Sequence, residues 1–198
     1  MHGKKLYLPM ILLLLSASLN GCGTAEANNE QALTLRSDFL AMTSCSGCME
    51  LTADYGQRVY DYTVTFMGTK EDGLTLTLTA PEEVSGITAH LDEGQTFLTF
   101  DGVRLETGPL NADGLSPLDA LPIFLSEMRS GYIAETGPER LNERETLRIC
   151  CRDPDQEAGQ GLETVLWFDQ ENDTLLRGEL RSDGTTVITC RFSEFIST

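Results

Sequence analysis

The chain has 198 residues, with 14 Lys and Arg against 31 Asp and Glu, a formal charge of −17. A field of that sign repels phosphate backbones and anionic headgroups, so the balance excludes nucleic-acid binding and adhesion to a membrane through a basic surface. The length suits a single domain that buries about 70% of its unfolded surface, and a second domain is not expected.

The first 21 residues read as an address rather than as fold. Lys4 and Lys5 give a basic start, residues 6–15 are almost continuously apolar, and Ser16, Ala17 and Ser18 are small. Such a run is too short for a comfortable membrane span and has the layout of a secretory signal. The junction Leu19-Asn20-Gly21-Cys22 resembles the lipobox of bacterial lipoprotein signal peptides. The resemblance implies cleavage before Cys22 and a diacylglyceryl thioether on it, which divides the chain into a signal peptide (1–21), a lipid-anchored tether (22–28) and a domain (29–198). Without Lys4 and Lys5 the remainder holds 12 basic against 31 acidic residues, so attachment must come from the lipid. At ~0.8 kcal/mol per buried methylene, two acyl chains hold a protein stably where one does so marginally. The expected location is the extracytoplasmic face of the cell membrane. Gly23, not Asp, follows the cysteine, so the retention signal of Gram-negative inner membranes is missing.

Past the tether, Ala32, Leu35, Phe39 and Met42 recur at steps of three and four, flanked by Leu33 and Leu40, and predict a helix over 29–44. Asn28 or Asn29 serves as its N-cap, and Cys45-Ser46-Gly47-Cys48 predicts a turn after it. From there the period is two. Strands are expected at 49–54, 58–67, 74–79, 86–91, 95–100, 103–107, 145–152, 162–169, 175–181 and 185–195. Their connections are short and rich in turn residues, among them Asp92-Glu93-Gly94, Asp101-Gly102 and Ser182-Asp183-Gly184. Parallel pairing needs long crossovers, so the strands form an antiparallel meander. One interruption, 117–130, carries Leu118, Leu121, Ile123, Phe124, Leu125 and Met128 and predicts an apolar helix stopped by Gly131.

About ten such strands, apolar on one face, must curl around that face and cover it. The expected class is α+β: a strongly curved antiparallel sheet, an incomplete β-barrel, with helices covering the concave face. A two-sheet sandwich would leave the first helix without a seat.

A helix of this kind, then Val59-Tyr60-Asp61-Tyr62-Thr63-Val64-Thr65-Phe66, then Thr96-Phe97-Leu98-Thr99-Phe100-Asp101-Gly102, a mid-chain helix and a closing pair from Trp167-Phe168-Asp169 resemble the LolA/LolB-like half-barrels, the outer-membrane lipoprotein carrier and sorting family. That resemblance implies a cavity for acyl chains between sheet and helical lid, and function without chemistry. It also implies kinship with lipid-anchored envelope proteins of spore-forming Gram-positive bacteria, some of which act with protein partners in sporulation or germination. A soluble ferry between two membranes does not match a chain tied to one.

The apolar face is the main candidate site. Tyr60, Tyr62, Val64 and Phe66 should share it with Leu74, Leu76 and Leu78, with Leu176, Leu180, Ile188 and Phe192 at the far end. If the helices fill the concavity, these residues are core; if they cover part of it, an apolar cavity opens to water at an edge. Two occupants follow from the two cases: a lipid, lipoprotein acyl chain or other hydrophobic ligand, or an envelope protein docked on a sheet edge or the acidic convex face, with Tyr132 and a loop at 134–142 as contacts.

Cys45 and Cys48 follow a helix rather than begin one, so no helix dipole activates them and thiol exchange is disfavoured. Either they form a local disulfide or one staples the first helix to the sheet, with Cys151 as a small core residue. Zinc would need more ligands than His90, the one histidine beyond His2, supplies. No G-x-S-x-G elbow exists, and the acidic clusters at 153–157 and 169–173 lack EF-hand spacing. The sequence therefore predicts no enzyme, no cofactor and no metal site.

Overall fold

The computed structural model describes residues 22–92, 95–107 and 115–198. The expected signal peptide and Glu93-Gly94 of one expected turn lie outside the described residues. Eleven strands form one antiparallel sheet: β1 (Ser44–Asp54), β2 (Val59–Thr69), β3 (Gly73–Ala80), β4 (Thr88–Asp92), β5 (Gln95–Phe100), β6 (Val103–Glu106), β7 (Ile133–Leu141), β8 (Arg144–Arg152), β9 (Leu162–Asp169), β10 (Leu175–Ser182) and β11 (Thr185–Ser197). Their order is β6-β5-β4-β3-β2-β1-β11-β10-β9-β8-β7, so two meanders meet where β1 pairs β11. β6 and β7 are never joined, which leaves the curved sheet an unclosed barrel of the expected class.

Turn chemistry sets much of the register. At Asp101-Gly102 and Asp183-Gly184 both central residues have positive φ (48° and 75°, 48° and 76°), as a two-residue hairpin on a right-twisted ribbon requires.

Helix α1 (Cys22–Ala41) starts earlier than expected, so residues 22–28, read as a tether, are its first turns. Ala25, Glu26 and Ala27 are good helix formers, and the helix is docked near Asn29, whose side chain accepts from Thr136 on β7. Ala32, Leu35, Phe39 and Met42 are buried as expected, whereas Leu33 and Leu40 are exposed. A 3-10 turn (Pro117–Asp119), capped by the Ser116 hydroxyl, leads into α2 (Ala120–Ser130), which stops at Gly131. α2 rests on β9 and against α1, and α1 crosses β7 and β8, so both helices cover the β7–β10 half of the concave face.

The segment 134–142 is not a loop. It is β7, an edge strand paired only with β8. Pro138 within it reads as a strand breaker, but an edge strand has one side on which the missing N–H goes unneeded. Cys45-Ser46-Gly47-Cys48 is likewise not a turn but the opening of β1, in register with Phe66 and Gly68 of β2. Cys45 is buried with the core while Cys48, three residues on, pairs Thr65 on the other face, so the local disulfide, one of the two arrangements expected for them, is not formed and both are free thiols. Cys150 and Cys151 do face opposite ways: Cys151 joins the core, and Cys150 packs with Val165 and Trp167 on the convex side.

Candidate functional site

The concave face is packed at its centre. Val64 and Phe66 pair Leu78 and Leu76 across β2 and β3, Leu180 pairs Ile188 across β10 and β11, and all six are buried. Phe192 completes this group, its ring edge-on to Phe66 at 6.1 Å. Phe195 bridges to the helix: its ring lies 5.7 Å from Phe192 and 6.1 Å from Phe39 of α1, which meets Phe168 at 5.8 Å. Seven of the eleven residues expected to line a cavity are therefore core. Tyr62 and Leu74 pack half-buried at its margin, and Tyr60 is exposed and stacked on Tyr62. Leu176 leaves the face altogether, because the pairing of β10 with β9 slips between Leu175 and Arg177 and puts Leu175 into the core instead.

The cover runs out where α1 ends. Between Met42-Thr43-Ser44-Cys45, the β2–β3 hairpin, Leu91-Asp92 of β4 and one flank of α2, an opening of about 440 Å³ reaches the concave face. Met42, Leu74, Leu91, Pro122 and Leu125 give it apolar walls, and Lys70 and Arg129 stand on its rim. Arg129 donates from Nε to the Phe39 carbonyl (3.2 Å), which fixes the guanidinium beside the mouth. The Cys45 thiol on the floor is pushed up from its ordinary pKa by burial, against a smaller pull from Arg129, and so is a poor nucleophile. α2 is clamped at its C-terminal end by Arg36 of α1, which donates to the carbonyls of Met128 (2.9 Å), Glu127 (3.3 Å) and Gly131 (2.6 Å).

Only Leu74 of the expected cavity residues lines this mouth. Met42 and Leu125 read in the sequence only as apolar helix positions, and nothing there marks Leu91, Pro122, Lys70 or Arg129 as lining a site. Period-two counting marks Leu91 as inward-facing, but no local pattern says which inward residues lie beyond the reach of the helices.

A larger hollow, about 750 Å³, lies where β10 and β11 part. Their pairing ends at Arg177 and Arg191, while β11 runs on to Ser197 beside β1 alone. Arg144, Arg177, Arg191, Glu143, Glu194 and Asn142 line it together with Leu141, Leu176, Phe192 and Phe195, so it carries more charge than the mouth.

The convex face of β7–β10 is an ionic layer. Glu179, 4% exposed, accepts from Arg177 and from Arg181 (2.6 Å), and Arg177 lies over the Trp167 ring. Glu163 accepts from Arg152 (3.4 Å) and the Gly159 amide (3.0 Å). Asp169 accepts from Arg144 (3.2 Å) and the Glu171 amide (2.9 Å), so the acidic residues there shape a turn. His90 is stacked on Phe97 at 4.5 Å and hydrogen-bonded to Thr99 (3.2 Å). Among the described residues no group of three His, Cys, Asp or Glu is placed to hold a metal ion, and no helix is long and apolar enough to cross a membrane.

No protein-family model matches the chain, and no curated protein matches it. Solved structures similar to it include an uncharacterized conserved protein from Thermus thermophilus (12% identity, 86% of this chain and 87% of that one, TM-score 0.48). Another is a putative outer membrane lipoprotein-sorting protein domain from Vibrio parahaemolyticus (13% identity, 88% and 93%, TM-score 0.47). A LolA superfamily protein from Nitrosomonas europaea is also among them (12% identity, 87% and 92%, TM-score 0.40).

Proposed function

We propose that this chain is a non-enzymatic envelope lipoprotein, acylated at Cys22 and held on the extracytoplasmic face of the cell membrane, that binds a hydrophobic ligand at the mouth of its half-barrel. The observation that carries the reading is the opening beside α2, where Met42, Leu74, Leu91, Pro122 and Leu125 form an apolar surface among hydroxyl and charged neighbours and lead onto the packed core. Neither rim nor floor presents an activated nucleophile, in keeping with binding rather than chemistry. The test is native mass spectrometry of the full chain released from its membranes. Wild type should carry an adduct of lipid mass that Leu125→Arg loses; an adduct-free wild type would sink the reading.

A second reading, an adaptor for an envelope protein, is favoured by one feature: beyond Arg191 the edge of β11 facing away from β1 has no strand partner among the described residues. An extended segment of a partner could add there as a strand. Crosslinking from Glu194 or Ile196 to a protein, with the mouth empty, would select it.

A further inference from the structure

We infer that the ligand of the mouth is a single-chain amphiphile with an anionic head, a fatty acid, whose carboxylate sits between Lys70 and Arg129. The inference rests on the reading of the mouth as a hydrophobic-ligand site and names the chemistry of its rim. In a chain of charge −17 an anion is repelled unless cations are placed to receive it. Cations are scarce here, and most are committed. Arg104, Arg140, Arg144, Arg148, Arg152, Arg177 and Arg181 all pair with carboxylates, and Arg36 is spent on the end of α2. Lys70 is the only lysine beyond Lys5, and neither it nor Arg129 has a carboxylate within ion-pair distance among the described residues. Both stand on the rim of the same apolar opening, against one carboxylate, Asp92, which has an interaction of its own.

The two sides of the mouth come from different parts of the chain. Lys70 belongs to the β2–β3 turn and Arg129 to the last turn of α2, and Leu74, Leu91, Pro122 and Leu125 line the same opening. An alkyl chain laid on those side chains brings its head to the two cations, as the strength of charge-assisted hydrogen bonds favours. A volume of about 440 Å³ lies toward the small end of the ~300–1,000 Å³ typical of ligand sites and suits one chain rather than two.

The test uses the full chain in its own membranes with two photoactivatable diazirine probes, palmitic acid and the neutral palmityl alcohol, and locates the labelled peptides by mass spectrometry. The acid should label segments around Leu74, Leu91 or 120–130 and be displaced by excess palmitate but not by the alcohol. Lys70→Gln with Arg129→Gln should reduce labelling by the acid about tenfold and leave the alcohol unaffected. Lys70→Gln alone, at an exposed turn, keeps the test independent of folding and should give a smaller loss of the same sign. Equal labelling by acid and alcohol, or full labelling of the double variant, overturns the assignment of the head and leaves the ligand site standing. Failure of both probes to reach the mouth overturns both.

Discussion

Gly178→Ala should loosen the lid without touching any polar group. Gly178 lies in β10 directly beneath Phe124 of α2, and a Cβ there would stand 2.4, 2.6 and 2.9 Å from three carbons of that ring. Ordinary carbon contacts are about 3.5–4.0 Å, so the ring must retreat by about 1 Å. Phe124 is fully buried, which places the change among overpacking substitutions costing about 1–3 kcal/mol. Alanine recovers about 0.5–1 kcal/mol of glycine's backbone entropy, leaving a net loss of about 1–2 kcal/mol. For a domain of this size that is a fall in Tm of about 2–8 °C, read by circular dichroism and checked by urea unfolding. Phe124→Leu in the same chain should cost less on the Gly178→Ala background than alone, because the smaller side chain makes room for the new methyl. A Gly178→Ala midpoint equal to wild type, or costs that simply add, would refute the claim that α2 is seated by direct contact of its ring with the sheet backbone. Because Pro122, Leu125 and Arg129 ride on α2, the same substitution should weaken ligand binding at the mouth.

Two further outcomes follow from buried groups. Under brief alkylation of the native chain at mildly alkaline pH, Cys48 should be modified first and Cys150, Cys151 and Cys190 protected, burial having pushed the Cys151 thiol up to about 12; rapid labelling of Cys151, read by peptide mass spectrometry, would mean that β8 opens readily. Burial also raises the Glu127 carboxyl, with Arg36 opposing, so the folded chain binds that proton more readily than the unfolded one and loses stability as pH rises through the raised value. Glu127→Gln should therefore unfold at higher urea than wild type near neutrality, with the gain vanishing below the ordinary carboxylate range; a gain that persists in acid would assign it to something other than the charge.

The half-barrel was legible because its signals are local and repeated. Strict alternation in Leu74-Thr75-Leu76-Thr77-Leu78, Asp-Gly hairpins and a Pro-led apolar helix leave little choice of class. What was not legible depends on neighbours. Pro138 argues against a strand unless one knows that β7 is at an edge, and Gly47 argues for a turn unless one knows that β1 sits between β2 and β11. Leu176 was placed on the wrong face by a one-residue slip, since a bulge reverses every inward assignment beyond it. The mouth escaped for the same reason: Leu91 and Leu76 look alike in sequence, and only the position of the helix ends decides which is covered.

That position also decides whether the anchor could fill the mouth with its own lipid. α1 has 20 residues between Cys22 and Ala41, and at 1.5 Å per residue it separates the two by about 30 Å. The mouth begins at Met42, at the far end of that helix from the cysteine proposed to carry the acyl groups. An acyl chain spans about half of a ~30 Å hydrocarbon core, or ~15 Å, and falls well short of that distance. From Asn29 onward the helix is held to the fold, by Asn29 to Thr136, Gln31 to Asp173 and Arg36 to the end of α2, so that stretch keeps its direction away from the mouth. On the proposed reading, a ligand in the mouth is therefore expected to be a molecule other than the acyl chains proposed for Cys22.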